Sequence, residues 1–160
     1  MKECNLTTKM KSYQWDELSE EQRAIIQVAK EQTNHSYCPY SHFHVGAAAL
    51  LANGVVVKGC NQENAAYPSG LCAERTALFA AGAQYPEEPV TKLAIACFTG
   101  GHFTKLPGSP CGACRQVMLE TEHRYGGKME VLLYGDEETY VLESAADLLP
   151  LIFVSENLKG

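Results

Sequence analysis

The sequence predicts an α/β fold with three layers, α-β-α, around a mixed sheet of about five strands. Segments of helical spacing alternate with short apolar runs in the order α-β-β-α-β-α-β-β-α, which places helices on both faces of one sheet. At 160 residues, with 46% hydrophobic and 20% charged side chains, the chain suits a single domain with a real core. No internal repeat, low-complexity tract or linker interrupts it.

Met1 to Asp16 is polar and aperiodic, so residues 1–16 are expected to be a flexible tail and residues 17–160 the single folded domain. Ser19-Glu20-Glu21-Gln22 reads as a capping box, and Ala24, Ile25, Val28 and Ala29 recur at helical spacing, so a first helix is placed at about Ser19–Asn34. Cys38-Pro39-Tyr40-Ser41 ends it. Phe43–Leu51 and Val55–Cys60 read as strands joined at Asn53-Gly54, a two-residue hairpin signal because both residues tolerate positive φ. Gly46 and the small alanines after it call for close packing against this hairpin. Asn61-Gln62-Glu63-Asn64 follows at the strand end, as a polar ligand wall or as a solvated loop.

Leu71–Ala83 is rich in helix formers, with Gly82 at its end. Thr91–Phe98 reads as a buried strand and Gly100–Ser109 as a loop. Pro110 suits the first turn of the next helix, where a missing donor matters least. Lys128–Tyr134 and Thr139–Leu142 read as strands, and Ser144 caps a short helix through Leu149, stopped by Pro150. The apolar tail Leu151-Ile152-Phe153-Val154 packs on its own core or on another subunit.

Composition narrows the function. The formal net charge of −6 and the absence of a Lys/Arg cluster argue against a nucleic-acid partner. There is no membrane-length apolar run and no apolar leader, so the expected location is the cytoplasm. Seven cysteines, an odd number, make a disulfide framework a poor reading, and Cys60 and Cys97 in apolar runs read as buried free thiols.

The chemistry lies in Cys72-Ala73-Glu74 and Pro110-Cys111-Gly112-Ala113-Cys114. Cys72, Cys111 and Cys114 offer three soft thiolates to one metal, which suits Zn2+, one per chain, with a fourth position left for water. Glu74 is a proton shuttle beside that position. On an ideal helix Cys72 and Glu74 diverge by roughly 200°. They serve one metal only if it sits off the helix end, where free amides and the helix dipole favour thiolate. A lone C-x-x-C can also be a redox pair or half of a structural zinc ribbon. The third cysteine argues against the first and the missing second C-x-x-C against the second. The histidines, His42 and His44 among them, are not needed as ligands.

Four stretches together carry a family resemblance: Pro39-Tyr40-Ser41-His42-Phe43-His44-Val45-Gly46-Ala47-Ala48, Gly59-Cys60-Asn61-Gln62-Glu63-Asn64-Ala65, Cys72-Ala73-Glu74-Arg75-Thr76-Ala77 and Pro110-Cys111-Gly112-Ala113-Cys114-Arg115-Gln116. With a weaker match at Leu148-Leu149-Pro150 and Phe153, the chain resembles the small zinc-dependent cytidine deaminases of pyrimidine salvage over most of its length. The resemblance implies that family's fold and the hydrolysis of cytidine and 2′-deoxycytidine to uridine and 2′-deoxyuridine plus ammonia. Its implied roles are zinc ligands at Cys72, Cys111 and Cys114 and a catalytic shuttle at Glu74. Asn61 and Glu63 match a pair that binds the ribose hydroxyl, Phe43 an aromatic against the pyrimidine, and the Ala73 backbone a reader of the base edge. Phe153 resembles an aromatic that reaches a neighbour's site, which implies a homotetramer with shared sites. Arg75 is expected to donate to a thiolate and tune the charge at zinc, with a surface ion pair as the alternative. The partner is then a small nucleoside. Competing readings are a deaminase for another aminated base or nucleoside, and a non-enzymatic zinc module with a closed tetrahedron.

Overall fold

The computed structural model describes residues 1–159. Its regular elements are β1 (Lys11–Tyr13), α1 (Glu20–Gln32), β2 (His44–Leu51), β3 (Val56–Cys60), α2 (Ala73–Gln84), β4 (Val90–Thr99), β5 (His102–Phe103), α3 (Gly112–Tyr125), β6 (Glu130–Tyr134) and β7 (Thr139–Leu142). The sheet has seven strands rather than about five, in the order β1-β7-β6-β4-β2-β3, with β5 paired to the end of β4. The two additions are the short β1 and β5. The former lies inside the stretch read as a tail and pairs antiparallel with β7. Only β4 and β6 run parallel, and α3 is the crossover between them.

Period-two alternation sorts the core into two layers. Ala47, Ala49 and Leu51 of β2, Leu93 and Ile95 of β4, and Val131 and Leu133 of β6 pack with α2 and α3. Their alternates Ala48, Ala94, Ala96, Leu132 and Tyr134 pack with Ile25, Ile26 and Ala29 of α1. The helices press close to the hairpin. A Cβ on Gly46 would meet the Ala29 carbonyl of α1 at 2.0 Å, and one on Gly59 would meet the Ala77 amide of α2 at 2.5 Å. These contacts fix how α1 and the start of α2 sit against the β2–β3 hairpin.

The capping box forms as the sequence requires: Gln22 N–H donates to Ser19 Oγ at 3.1 Å and Ser19 N–H to Gln22 Oε1 at 3.0 Å. Such a cap contributes about 1 kcal/mol. Three boundaries differ from expectation. The hairpin uses a three-residue loop: Leu51 N–H donates to the Val55 carbonyl and Gly54 N–H to the Leu51 carbonyl. Gly54 alone takes positive φ, +85°, and Asn53 instead accepts from the Val55 amide. α2 runs through Gly82 to Gln84. Pro110 precedes the α3 cap, which is Cys111.

At the far end of α3, Glu122 is buried and accepts from the amides of Met129, Ala145 and Ala146 and from Ser144 Oγ. One carboxylate therefore joins α3, the start of β6 and the 3-10 turn Ala145–Leu148. No helix among the described residues is long and apolar enough to cross a membrane.

Candidate active site

Cys72 is the N-cap of α2 and Cys111 the N-cap of α3, and Cys114 lies in the first turn of α3. The two helix starts converge. Cys72 Sγ lies 3.8 Å from Cys111 Sγ, and Cys111 Sγ 3.5 Å from Cys114 Sγ. All three sulfurs lie within 4.8 Å of one another, the one such group of metal-binding side chains among the described residues. The cap position resolves the angular problem between Cys72 and Glu74: Cys72 has extended backbone, so its thiol lies off the end of the helix. Neither cap uses a side-chain hydrogen bond, which leaves first-turn amides and the dipole for the thiolates.

The electrostatics suit a cation. The Cys114 thiol beside it holds Cys72 down to about 5, against a burial penalty, with help from Arg75 and Cys111. Arg75 Nη2 donates to Cys72 Sγ at 3.7 Å, while its buried Nε has no partner. The ion-pair alternative for Arg75 does not occur among the described salt bridges. Glu74 is buried, and burial raises its pKa above the ordinary carboxyl range, with the charge on Cys72 adding to the effect. Burial therefore favours its protonated form.

Glu74, Arg75, Cys72 and Cys111 open onto one cavity of about 770 Å³. Phe43, Asn61 and Glu63 line it too, so the polar stretch after β3 is a cavity wall. Asn61 Oδ1 accepts from the Val45 amide at 2.8 Å and its Nδ2 donates to the Phe43 carbonyl at 2.9 Å. An amide has one further donor hydrogen and one further lone pair, so Asn61 can set the position of Phe43 and still bind a ligand. Glu63 Oε2 accepts from the amides of Tyr40 and Ser41. Hydrogen bonding, led by the Ser41 side chain, holds its carboxyl below the ordinary range, so it is anionic.

Comparison with known proteins agrees with this geometry. A family profile for the cytidine and deoxycytidylate deaminase zinc-binding region matches residues 19–125. This chain belongs to that family. A cytidine deaminase of Halalkalibacterium halodurans is 39% identical over 142 residues, covering 86% of this chain and 98% of its own. One from Sporosarcina psychrophila is 44% identical over 138 residues, covering 84% and 92%. The crystal structure of cytidine deaminase from Burkholderia pseudomallei superposes with a TM-score of 0.71 at 42% identity, covering 85% of this chain and all of that one.

The three-cysteine group of this deaminase-family chain fits the zinc of its family. The donors are soft and converge on one point, and Cys72 and Cys111 face a cavity, which leaves an open side. Ala73 is fully buried in the first turn of α2, and its side chain does not line the cavity. Phe153 is exposed and lies outside the lining of its own chain's cavity. His44 is occupied elsewhere, with Nδ1 at 2.7 Å from Ser36 Oγ and 3.2 Å from Cys38 Sγ. Three contributors lay beyond the sequence reading. Ser41 steadies Glu63, Ser109 lines the cavity beside Pro110, and Cys97 is a buried thiol that also forms cavity wall. The serines sit in loops with no periodic signal, and the apolar run around Cys97 conceals which face it occupies.

Proposed function

We propose that the protein is a zinc-dependent cytidine deaminase, hydrolysing cytidine and 2′-deoxycytidine to the corresponding uridines and ammonia in pyrimidine salvage. One observation carries this reading: a buried carboxylate, Glu74, shares a cavity with Cys72 and Cys111, two of three convergent thiols. Cys72, Cys111 and Cys114 hold the metal. Zinc, when bound, supplies a Lewis acid that brings the pKa of a water to about 7.

The chain's own residues then have distinct tasks. Glu74 takes a proton from water and delivers it to N3 of the cytosine ring as the hydroxide oxygen bonds to C4; it then moves the proton of that new hydroxyl to the C4 amino group, so that the C4–N bond breaks, ammonia leaves and C4 becomes the carbonyl of uridine. Burial raises its pKa, which strengthens it as the base that takes the proton from water. Arg75 tempers the charge of the thiolates by donating to Cys72. Phe43 lies against the pyrimidine, Asn61 and Glu63 take the ribose hydroxyl, and the main chain at Ala73 reads the base edge.

The cavity also selects against phosphate. Arg75 is the one Lys or Arg side chain in its lining, and it is turned onto Cys72, while Glu63 adds negative charge. A nucleoside suits this wall better than a nucleotide. The protein works in the cytoplasm as a homotetramer with shared sites, a reading supported by the exposed apolar run Leu151, Ile152 and Phe153. The catalytic domain takes in β1 as well, since that strand pairs with β7 in the same sheet.

The test is ammonia release from cytidine, deoxycytidine and deoxycytidine monophosphate, with zinc quantified on the same sample. Release from both nucleosides, little from the monophosphate, and about one zinc per chain is the expected result. Zinc without release from any of them would replace this function with that of a metal-binding module.

A further inference from the structure

The tail after the 3-10 turn Ala145–Leu148 is tied to α3 at a few points. Arg115 Nη1 donates to the Leu148 carbonyl at 2.8 Å, while its Nε donates to the Pro110 carbonyl at 2.8 Å. Gln116 Nε2 donates to the Phe153 carbonyl at 2.9 Å. Farther on, His123 Nδ1 lies 4.0 Å from Glu156. The tail therefore runs alongside α3 in the same direction, beginning at the end that carries Cys111 and Cys114. Among the described residues, Gln116 makes the one hydrogen bond to residues 150–153. The Phe153 side chain is 57% exposed and takes no part in its own chain's cavity.

We infer that Gln116 is a positioning residue for the deamination reaction, holding the Phe153 main chain at a fixed place on α3 so that its ring is offered preformed to the site of a second copy. This rests on the reading that Phe153 acts in a neighbouring subunit. The physical reason is preorganisation. A tail segment with a single anchor loses much of its order when that anchor goes, and binding must then supply the ordering. Gln116 lies two residues beyond Cys114, so one rigid helix sets both the metal turn of its own chain and the height of the ring it offers. Arg115 makes the same helix turn rigid from the other side, by tying the residue before Cys111 to the start of the tail. Loss of the Gln116 contact should weaken substrate binding and leave the chemical step alone, because the Phe153 ring meets the substrate and Glu74 moves the protons.

The experiment is a double-mutant cycle on the zinc-loaded enzyme with cytidine: Gln116→Leu, Phe153→Ala and the two together. Each is characterised for KM, kcat, zinc content and assembly by sedimentation. Gln116→Leu should raise KM about fivefold, the worth of one net hydrogen bond, with kcat, zinc and assembly near wild type. Phe153→Ala should raise KM at least as much, and the double variant should be no worse than Phe153→Ala alone. Additive effects, or a Phe153→Ala effect with Gln116→Leu silent, would overturn the positioning role and leave the reading of Phe153 intact. A loss of zinc or kcat in Gln116→Leu would also overturn it, in favour of a purely structural role. A silent Phe153→Ala would overturn the underlying reading, and the positioning role with it.

Discussion

Cys72 and Cys97 face the same cavity and are opposites in chemistry. Cys72 caps a helix, with Arg75 and two other thiols beside it, and its pKa is held down to about 5. Cys97 lies in the middle of the sheet on β4, where burial first and the charge of Glu74 second push it up to about 12. Sulfur at a helix start is a ligand, whereas sulfur in a strand is a small apolar side chain. The difference lies in what each backbone brings near the sulfur: unpaired amides and a guanidinium in one case, paired amides and methyl groups in the other.

The comparison breaks most visibly at the ligands. Cys114→Ala should remove zinc and activity together, with a loss in metal affinity beyond the roughly 10–100-fold typical of outer-shell partners. Metal analysis after dialysis against a weak chelator measures it. Full zinc retention would show that the metal is held elsewhere. Next in size is Glu74→Gln, which should keep zinc and lower kcat by about 10²–10⁴-fold. The same substitution has a pH signature in the zinc-free protein. Below the ordinary carboxyl pKa, Glu74 is protonated folded or unfolded, and burial of its charge costs nothing. As pH rises toward its raised folded pKa, the unfolded chain ionises freely while the folded one does so against desolvation, so wild-type stability falls. Glu74→Gln lacks that loss. Its denaturation midpoint relative to wild type should therefore rise between acidic and neutral pH, and a constant difference would mean that Glu74 is not strained by its burial.

Arg75→Ala sharpens the comparison further. Arg75 reaches Cys72 and leaves a buried Nε without a partner, a cost accepted in return for charge at the thiolates. The variant should bind zinc at near wild-type content and turn over about 10–100-fold more slowly. Unchanged turnover at equal zinc would reduce Arg75 to a packing residue.

The parts of the site that were legible in the sequence are those written in local spacing. Cys111 and Cys114 share a helix start because they are three apart, and the capping box of α1 is four consecutive residues. Roles that depend on distant partners were not legible from spacing. Asn61 binding the main chain at Phe43 and Val45, or Ser41 steadying Glu63, joins residues 16 or more apart. Family resemblance pointed to Asn61 and Glu63 as site residues, but not to these contacts or to Ser41. The strands β1 and β5 escaped because three and two residues are too short to show alternation, and they exist only by pairing with β7 and β4. Gly82 misled as a helix end because a packed helix of good formers tolerates one glycine at about 1 kcal/mol.

The smallest effect is expected at the other pole of the comparison. A Cβ built on Gly108 would meet Cys97 Sγ at 2.5 Å. The loop that leads to Cys111 thus rests directly on this thiol. Cys97→Ala removes one heavy atom from under that loop and should cost about 1–2 kcal/mol of stability, the transfer and cavity terms for a small buried group. Zinc content should not change, because Cys97 Sγ is no part of the convergent group. Turnover should fall less than in Arg75→Ala, since the loop also hangs on main-chain bonds from Thr104 to Cys97 and from Asp136 and Glu137 to Thr104 and Lys105, which the substitution spares. Thermal melts and metal analysis on the one variant decide the matter. A zinc loss as large as that of Cys114→Ala would mean that the strand thiol helps to hold the metal, and the division between helix-start and strand sulfur would fail at its nearest pair.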